Sequence, residues 1–505
     1  MMDRSGFSTM ARWHLSLTIP GPEDGAEAPL FQRIAWAIAD EIRRGRLTPG
    51  APLPGSRRLA TELGVHRNTV IAAYAELRAE GWIEATAGST TRVAAVLAGT
   101  LPPTPQAFAP TRLGVPLEAG FDLPAPAPAS SWPEPPRAQY LLAGGFPDLR
   151  QVPTQALARA WRRAITRAPA LLLAYGDPRG DDRLRVALAE MLATLRGLAT
   201  TADDVLVTRG SQMALDLVGR TLLSSGDAVV VESLGYQPAW AAFRAAGATV
   251  MPLPVDAAGL RVDLLPELLA RHRVRAVYVT PHHQYPTTVT LSAARRLQLL
   301  NLAAAHRFAV IEDDYDHEFH YEGRPVLPLA SADPHGVVIY VGTLSKVLAP
   351  GLRLGFVVAP AAPLDRLAEV RTRVDRQGDH ITERAIAELL EDGEVQRHAR
   401  RMRRVYAERR DVLGEALRTH LGDAVSFDLP NGGMSLWARL DETLPAEALA
   451  AEALKRGVGV YIGRRFAFDD APIQALRLGF GGLDPAALRE AAKRLGASAG
   501  GVRAR

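Results

Sequence analysis

Val337-Val338-Ile339-Tyr340-Val341-Gly342-Thr343-Leu344-Ser345-Lys346, closed seven residues later by Arg353-Leu354-Gly355, is the stretch on which the reading of this chain turns. Its apolar run has no polar alternation, the pattern of a strand buried on both faces. The run ends in a short hydroxyl-bearing segment and a lysine. Only three of the 59 basic residues are lysine. The other two, Lys455 and Lys493, stand in polar stretches near the C-terminus, where a solvated charge suffices. A chain that otherwise uses arginine has kept lysine where an amine is required. Only a primary amine condenses with an aldehyde, and burial lowers its pKa toward neutrality. A surface lysine that survived by chance is the competing reading.

Outward from this stretch, short apolar runs alternate with helical patterns from about residue 140 onward. Val205-Leu206-Val207, Val229-Val230-Val231, Ala276-Val277-Tyr278-Val279, Phe308-Ala309-Val310-Ile311 and Gly355-Phe356-Val357-Val358 are the others. Such runs separated by helices predict a mostly parallel sheet covered on both faces. Residues 365 to 420 read as mainly helical, and the remainder to about 495 as a smaller α+β lobe. Ligands bind at the carboxyl ends of strands in open α/β sheets. Asp313 and Tyr315 fall at such an end, in Ile311-Glu312-Asp313-Asp314-Tyr315-Asp316. Three adjacent acids could instead hold Mg²⁺. Thr208-Arg209-Gly210-Ser211-Gln212 lies between a strand and a helix, where backbone N–H groups and a hydroxyl bind phosphate. Ser345 and Arg353 add a hydroxyl and a guanidinium that can grip an anion bidentately. Tyr236 follows the next strand and is placed to stack on a ring.

The N-terminal part differs in kind. Leu30, Ile34, Ala37, Ile38 and Ile42 fall at helical spacing. A helix Ser56 to Leu63 then ends at Gly64, and Gly64-Val65-His66-Arg67 turns into a second helix, for which Asn68 suits an N-cap. Val70, Tyr74 and Leu77 form its buried stripe, and Gly81-Trp82-Ile83-Glu84 with Thr91-Arg92-Val93-Ala94 reads as a two-stranded wing. Helix, turn and helix make a helix-turn-helix whose second helix is free to enter a major groove. Between the two parts, residues 102–136 are about one-third proline. Such a stretch favours extended polyproline II, at about 3.1 Å per residue, so it could span on the order of 100 Å. The expected organisation is a loose tail 1–28, a winged helix 29–97, a linker 98–139 and an effector domain 140–500.

Composition narrows the rest. At 505 residues several domains are expected. A formal charge of +4 permits a polyanionic partner without establishing one. The absence of cysteine removes disulfides, thiolate metal sites and cysteine nucleophiles, and no metal site is expected. No segment approaches a membrane span, and the expected location is the cytoplasm.

Leu53-Pro54-x-Ser56-Arg57-x-Leu59-Ala60, Gly64-Val65-x-Arg67-x-Thr69-Val70 and Glu80-Gly81-Trp82-Ile83 resemble the winged-helix domain of the GntR family. The resemblance implies that Arg57 and Arg67 contact DNA, with His66, Asn68 and Thr69 opening the recognition helix. Two positions depart from the family. His66 stands where a small hydroxyl residue is usual, and the wing tip usually written Gly-Ser-Gly is Gly88-Ser89-Thr90.

Residues 140–495 resemble fold-type I, class I aminotransferases, most strongly in Thr343-Leu344-Ser345-Lys346-x₆-Arg353-Leu354-Gly355. The resemblance implies pyridoxal 5'-phosphate held by Lys346 as a Schiff base, with Asp313 on the pyridine nitrogen and Tyr315 on the ring O3′. It further implies Tyr236 stacked on the ring, and Gly210, Ser211, Gln212, Ser345 and Arg353 around the phosphate. Arg477, in Leu476-Arg477-Leu478-Gly479-Phe480, matches the arginine that binds a substrate carboxylate. Tyr175 matches a tyrosine that reaches the neighbouring subunit's cofactor. The aminotransferase Asn-Pro-x-Gly is here Tyr285-Pro286-Thr287-Thr288, so the asparagine that contacts O3′ is missing, which argues against steady turnover while leaving half-reactions open. Pro281-His282-His283-Gln284-Tyr285-Pro286 is similar to MocR-type regulators, although these usually keep glycine at position 288. His283 is read as either a ligand contact or an ordinary loop histidine.

Nearly the whole chain therefore resembles the MocR subfamily of GntR regulators. The implied fold class is α+β multidomain, a winged helix-turn-helix plus an α/β aminotransferase-like body with a small C-terminal α+β lobe. The implied function is a transcriptional regulator that binds double-stranded promoter DNA and senses pyridoxal phosphate or an amino compound, as a head-to-tail homodimer. A functional aminotransferase with an appended DNA-binding domain is the main rival. A DNA-binding scaffold with a vestigial pocket is the third.

Overall fold

The computed structural model describes residues 28–85, 91–99, 135–323 and 326–503, together with Leu17, Ile19 and Asp122. The N-terminal tail, the wing tip Gly88-Ser89-Thr90 and most of the proline-rich stretch lie outside the described residues. Contacts divide the chain into two units, one ending at Ala125 and one starting at Pro126.

In the first unit, α1 (Leu30–Arg43), α2 (Ser56–Leu63) and α3 (Arg67–Ala79) pack around a small core, followed by β1 (Ile83–Ala85) and β2 (Thr91–Val93). The two strands pair antiparallel as the expected wing. Ile34, Ile38 and Ile42 of α1 and Val70, Tyr74 and Leu77 of α3 are buried, so the stripes read from helical spacing do form the core. The phenol of Tyr74 donates to the Pro54 carbonyl at 2.6 Å, tying α3 to the segment before α2. One expectation is corrected. The helix starts two residues earlier than an Asn68 cap implies, and His66 rather than Asn68 is the cap. The His66 ring accepts from the Asn68 backbone N–H at 3.3 Å, satisfying one of the open donors of the first turn.

The second unit is built on a seven-stranded sheet. Its strands are β3 (Val205–Thr208), β4 (Ala228–Glu232), β5 (Thr249–Leu253), β6 (Val274–Val279), β7 (Ala309–Asp314), β8 (Val338–Thr343) and β9 (Gly355–Val358). Their spatial order is β3-β9-β8-β7-β6-β4-β5. The sheet is parallel except at β9, which runs antiparallel to both β8 and β3. The expectation of a mostly parallel sheet holds, and the seventh strand, β5, is the one the apolar runs did not reveal. It carries Pro252 at the sheet edge, the position where a missing N–H costs no ladder bond. Val338 to Thr343, the whole of β8, is buried.

A second, all-antiparallel sheet forms the C-terminal lobe from β10 (Val425–Ser426), β11 (Ser435–Leu440), β12 (Tyr461–Ile462) and β13 (Ala475–Gly479), in the order β10-β11-β13-β12. Long helices at Glu394–Leu421 and Pro485–Arg503 share a core with these strands. The two sheets matter because the polar residues singled out above sit where they meet.

Candidate functional site

In the effector unit, β7, β8 and β9 end on one cavity of about 280 Å³. Lys346, Asp313, Tyr315, Tyr236, Ser211, Ser345, Arg353 and Arg477 all line it, although they are spread over more than 260 residues of sequence. Lys346 reaches into it from the loop after β8. Its ammonium donates to the Gly145 carbonyl at 3.1 Å and lies 5.6 Å from the centre of the Phe146 ring. Burial, helped by the nearby Arg477 guanidinium, lowers its pKa to about 8. A lysine in that state delivers a free amine near neutral pH, as Schiff-base chemistry needs.

Asp313, near the end of β7, is 5% exposed. One carboxylate oxygen accepts the Tyr278 phenol at 2.8 Å, while the other has no hydrogen-bond partner among the described residues. Burial raises this carboxyl to about 7, against the opposing effect of the Tyr278 bond. An unpaired buried oxygen costs about 1–3 kcal/mol. A ring N–H⁺ offered from the cavity would satisfy it. Strand alternation points the neighbours elsewhere. Glu312 accepts from the backbone N–H groups of Leu329 at 2.7 Å and Ala330 at 2.9 Å. Asp314 accepts the Tyr340 phenol at 2.6 Å and lies 3.0 Å from His317. The three acids do not converge, and the magnesium reading of this segment fails on that geometry.

The phosphate corner depends on a close approach of two backbones. The helix α4 (Ser211–Leu222) begins after Gly210, whose φ is 78°. A Cβ on Gly355, the first residue of β9, would stand 2.6 Å from the Gly210 carbonyl carbon and 2.8 Å from the Ser211 nitrogen. Glycine there lets β9 pass under the helix N-terminus. Arg353 donates to the Arg209 carbonyl at 2.9 Å and lays its guanidinium beside Gly210. Ser345 joins from the other side, held by Thr343 at 3.0 Å. A helix N-terminus, two hydroxyls and a guanidinium form an anion cradle.

Not every expected residue enters the cavity. The Gln212 side chain turns away and donates to the Pro238 carbonyl at 3.0 Å, so only its backbone remains at the first turn of α4. Gly210 contributes backbone and does not line the space. Tyr175 lies elsewhere, 79% exposed, with the Arg376 guanidinium 4.4 Å over its ring. Tyr236 and Tyr315 flank Tyr285 edge-on at 5.7 and 5.9 Å, and Arg477 covers the same ring at 4.5 Å. The Tyr315 phenol donates to the His283 carbonyl at 2.9 Å. The sequence did not mark Tyr278, Thr280, Tyr461, Gly145 or Phe146 as lining residues, and it marked Tyr285 only as the replacement for an asparagine. A tyrosine inside the buried run Ala276-Val277-Tyr278-Val279 was itself a signal, because a buried phenol needs a partner. Gly145 and Phe146 gave none.

On the first unit, Arg57, His66, Arg67 and Asn68 are exposed, and Thr69 is half-buried. Arg57, Arg58, Arg67 and Arg78 surround one groove beside α2 and α3. Arg58 and Arg78 were not singled out, though Arg67, Ile71 and Arg78 lie along one helical face. Four guanidiniums with an exposed helix make a surface suited to a phosphate backbone.

Residues 140–495 match the family aminotransferase class I and II, and residues 30–93 match the bacterial regulatory proteins of the gntR family. The chain is 34% identical over 467 residues to the probable rhizopine catabolism regulatory protein MocR of Rhizobium meliloti, covering 92% of each chain. It is 32% identical to the pyridoxine biosynthesis regulator PdxR of Corynebacterium glutamicum, covering 90% of this chain and 94% of the relative. The chain belongs to the MocR-type regulators. Its effector domain alone is similar to the solved α-aminoadipate aminotransferase LysN of Thermus thermophilus, with 32% identity, a TM-score of 0.67, and coverage of 72% of this chain and 93% of LysN. The protein is thus a GntR DNA-binding domain fused to an aminotransferase-like domain, and pyridoxal phosphate is the cofactor of the latter. The residues present fit that cofactor: one Asp313 oxygen has no partner among the described residues, and Ser211, Ser345 and Arg353 line the same cavity with groups suited to an anion. Among the described residues no helix is long and apolar enough to cross a membrane.

Proposed function

We propose that this MocR-type regulator senses pyridoxal phosphate, or an amino compound reacting with it, at Lys346 and answers at promoter DNA through α3. The observation that carries the sensor half is the desolvated Lys346 amine facing the unpaired Asp313 oxygen across a cavity closed at one end by the Gly210 cradle. Bound pyridoxal phosphate supplies an aldehyde and an electron-withdrawing ring. Lys346 is the nucleophile for that aldehyde. Asp313 would hold the ring nitrogen protonated, Tyr315 would turn its phenol from the His283 carbonyl toward the ring oxygen, and Tyr236 would stack on the ring. Ser211, Ser345, Arg353 and the first backbone N–H groups of α4 hold the phosphate. Arg477, whose Nε has no partner among the described residues, takes the carboxylate of an amino effector.

DNA recognition follows from the exposed face. Arg67 and Asn68 at the start of α3 reach base edges, and Arg57 and Arg78 grip flanking phosphates. The exposed Tyr175 fits a head-to-tail homodimer in which it reaches the partner's cofactor, and paired heads then read paired half-sites. The expected location is cytoplasmic.

The rival, an aminotransferase with an appended head, is not favoured, because the relatives that span the whole chain are regulators. Tyr285 occupies the place of the asparagine that turnover would want. The deciding measurement is DNA footprinting with and without pyridoxal phosphate and a panel of amino acids, run beside a keto-acid assay. Ligand-dependent protection with at most single-turnover keto acid is expected. Unchanged footprints with sustained keto-acid production would reverse the assignment.

A further inference from the structure

Behind the wall of the cofactor cavity, the effector unit gathers imidazoles that the cofactor chemistry does not use. His282 and His283 sit on the loop after β6, and His317 and His320 on the loop after β7, in Asp316-His317-Glu318-Phe319-His320. The His282 ring lies 4.3 Å from that of His283, 4.7 Å from His317 and 6.3 Å from His320. One ring nitrogen from each of His282, His283 and His320 falls within 4.8 Å of the other two.

Three further observations give this cluster the character of a ligand set. His282 is 4% exposed, and neither of its ring nitrogens has a hydrogen-bond partner among the described residues. A buried imidazole with both nitrogens unmet is costly and needs something to bind. His283 is oriented from behind: its Nδ1 and the Asp316 carboxylate are 2.7 Å apart. A carboxylate on one ring nitrogen fixes the tautomer and turns the other nitrogen outward as a ligand, the arrangement that supports most histidine–metal bonds. Finally, glycine at position 432 allows a close approach that brings two of the rings together: a Cβ there would stand 2.4 Å from His283 Nε2, and Gly432 bridges backbone to backbone with His320.

We propose that His282, His283 and His320 bind one divalent transition-metal ion of the zinc class. Zinc–nitrogen bonds of about 2.0–2.1 Å place tetrahedral ligands about 3.4 Å apart. The observed spacing, within 4.8 Å, is wider than that value, so binding would draw the three rings together. An all-imidazole set suits zinc, copper or nickel and is foreign to magnesium and calcium, which take oxygen ligands. Three imidazoles leave the fourth position to solvent. Buried Asp316, behind His283, offsets part of the charge of the ion. His320 is the least buried of the three and marks the side from which the ion enters.

The site is independent of the cofactor reading but not remote from it. The His283 carbonyl accepts the Tyr315 phenol at 2.9 Å, so the residue that would hold the metal by its ring holds a cavity residue by its backbone.

The test uses tag-free, chelator-washed full-length protein, titrated with Co²⁺ for its visible bands and with Zn²⁺ in competition with a chromophoric chelator. One ion per chain is expected, with the intense Co²⁺ absorption of a tetrahedral nitrogen site. Asp316→Asn should weaken binding about 10- to 100-fold, as loss of a carboxylate behind a ligand does. The pair H282N and H320Q should abolish the bands, with circular dichroism confirming that each variant is folded. Wild-type protein that takes up no ion, or variants that keep it, would overturn the proposal. Either result can be read whether or not Lys346 carries cofactor.

Discussion

On the helix-turn-helix unit Arg57, Arg67 and Arg78 carry their charge in solvent, whereas in the effector cavity Asp313 and Lys346 carry theirs out of it. The two arrangements suit two tasks. A polyanion is gripped by exposed cations that release its counterions, so affinity falls steeply with salt. A small ligand is captured by groups whose protonation burial has moved toward neutrality, so affinity and rate follow pH. The contrast makes each surface breakable without the other.

The sharpest break is Lys346→Ala. Covalent capture of pyridoxal phosphate should vanish, read as complete loss of the visible absorption of the lysine-bound cofactor, while DNA affinity without ligand stays within about twofold. Persistence of the band would place the reactive amine elsewhere, and only Lys455 and Lys493 remain among the lysines. Arg67→Ala should do the reverse. Loss of a base-edge contact costs about 1–3 kcal/mol, roughly 5- to 150-fold in DNA affinity, and relaxes sequence preference at one position. If Arg67 touches phosphate only, affinity should fall uniformly across sequences and the salt slope should drop by about one. Cofactor absorption is the control in both cases.

The pH dependence of capture separates a desolvated lysine from an ordinary one. Below its pKa the side chain is an ammonium without a nucleophilic pair, and above it a free amine. With the Lys346 pKa lowered to about 8, the rate at which cofactor-free protein captures pyridoxal phosphate should rise up to pH 8 and level above it. A solvated lysine would keep gaining about tenfold per unit toward pH 10. Stopped-flow traces between pH 6.5 and 9.5, in round numbers of that same scale, distinguish the two profiles. A rate still climbing at the upper end would mean that burial does not set the state of this amine.

The same contrast explains what could be read before any coordinates. Lys346, Asp313, Arg353 and Ser211 were legible because parallel strands end on one edge, and strand ends can be placed from apolar runs alone. The stripe Val70, Tyr74 and Leu77 was legible because helical periodicity is local. Gln212 was placed wrongly in part, since spacing fixes where a backbone sits but not which way a flexible side chain turns. Gly145 and Phe146 were invisible, because nothing near them in sequence says that they return to the end of β8. The imidazole cluster was missed for a related reason. The lack of cysteine excludes only thiolate sites, and the four histidines come from two loops that only the pairing of β6 with β7 brings together.

The smallest expected effect concerns strain, which also divides the two units. Every non-glycine residue with positive φ among the described residues lies in the effector unit. Arg353 lines the cavity, and Thr288, at φ 66°, closes the loop that carries Tyr285. A β-branched residue in the left-handed region carries about 1–3 kcal/mol of strain and persists there only where its surroundings hold it. Here Gln284 fixes it: its carbonyl accepts from the Thr288 N–H at 2.7 Å, and its side chain accepts from Thr287 at 2.6 and 3.1 Å. Thr288→Gly relieves the strain and adds about 0.5–1 kcal/mol of backbone entropy cost, since glycine loses more freedom on folding. The net expectation is a protein more stable by about 1 kcal/mol, read as a higher denaturant midpoint at unchanged slope. DNA affinity should not move. A lower midpoint would mean that the Thr288 hydroxyl bond to the Thr287 carbonyl, at 2.6 Å, outweighs the strain. The loop would then be held by threonine rather than despite it.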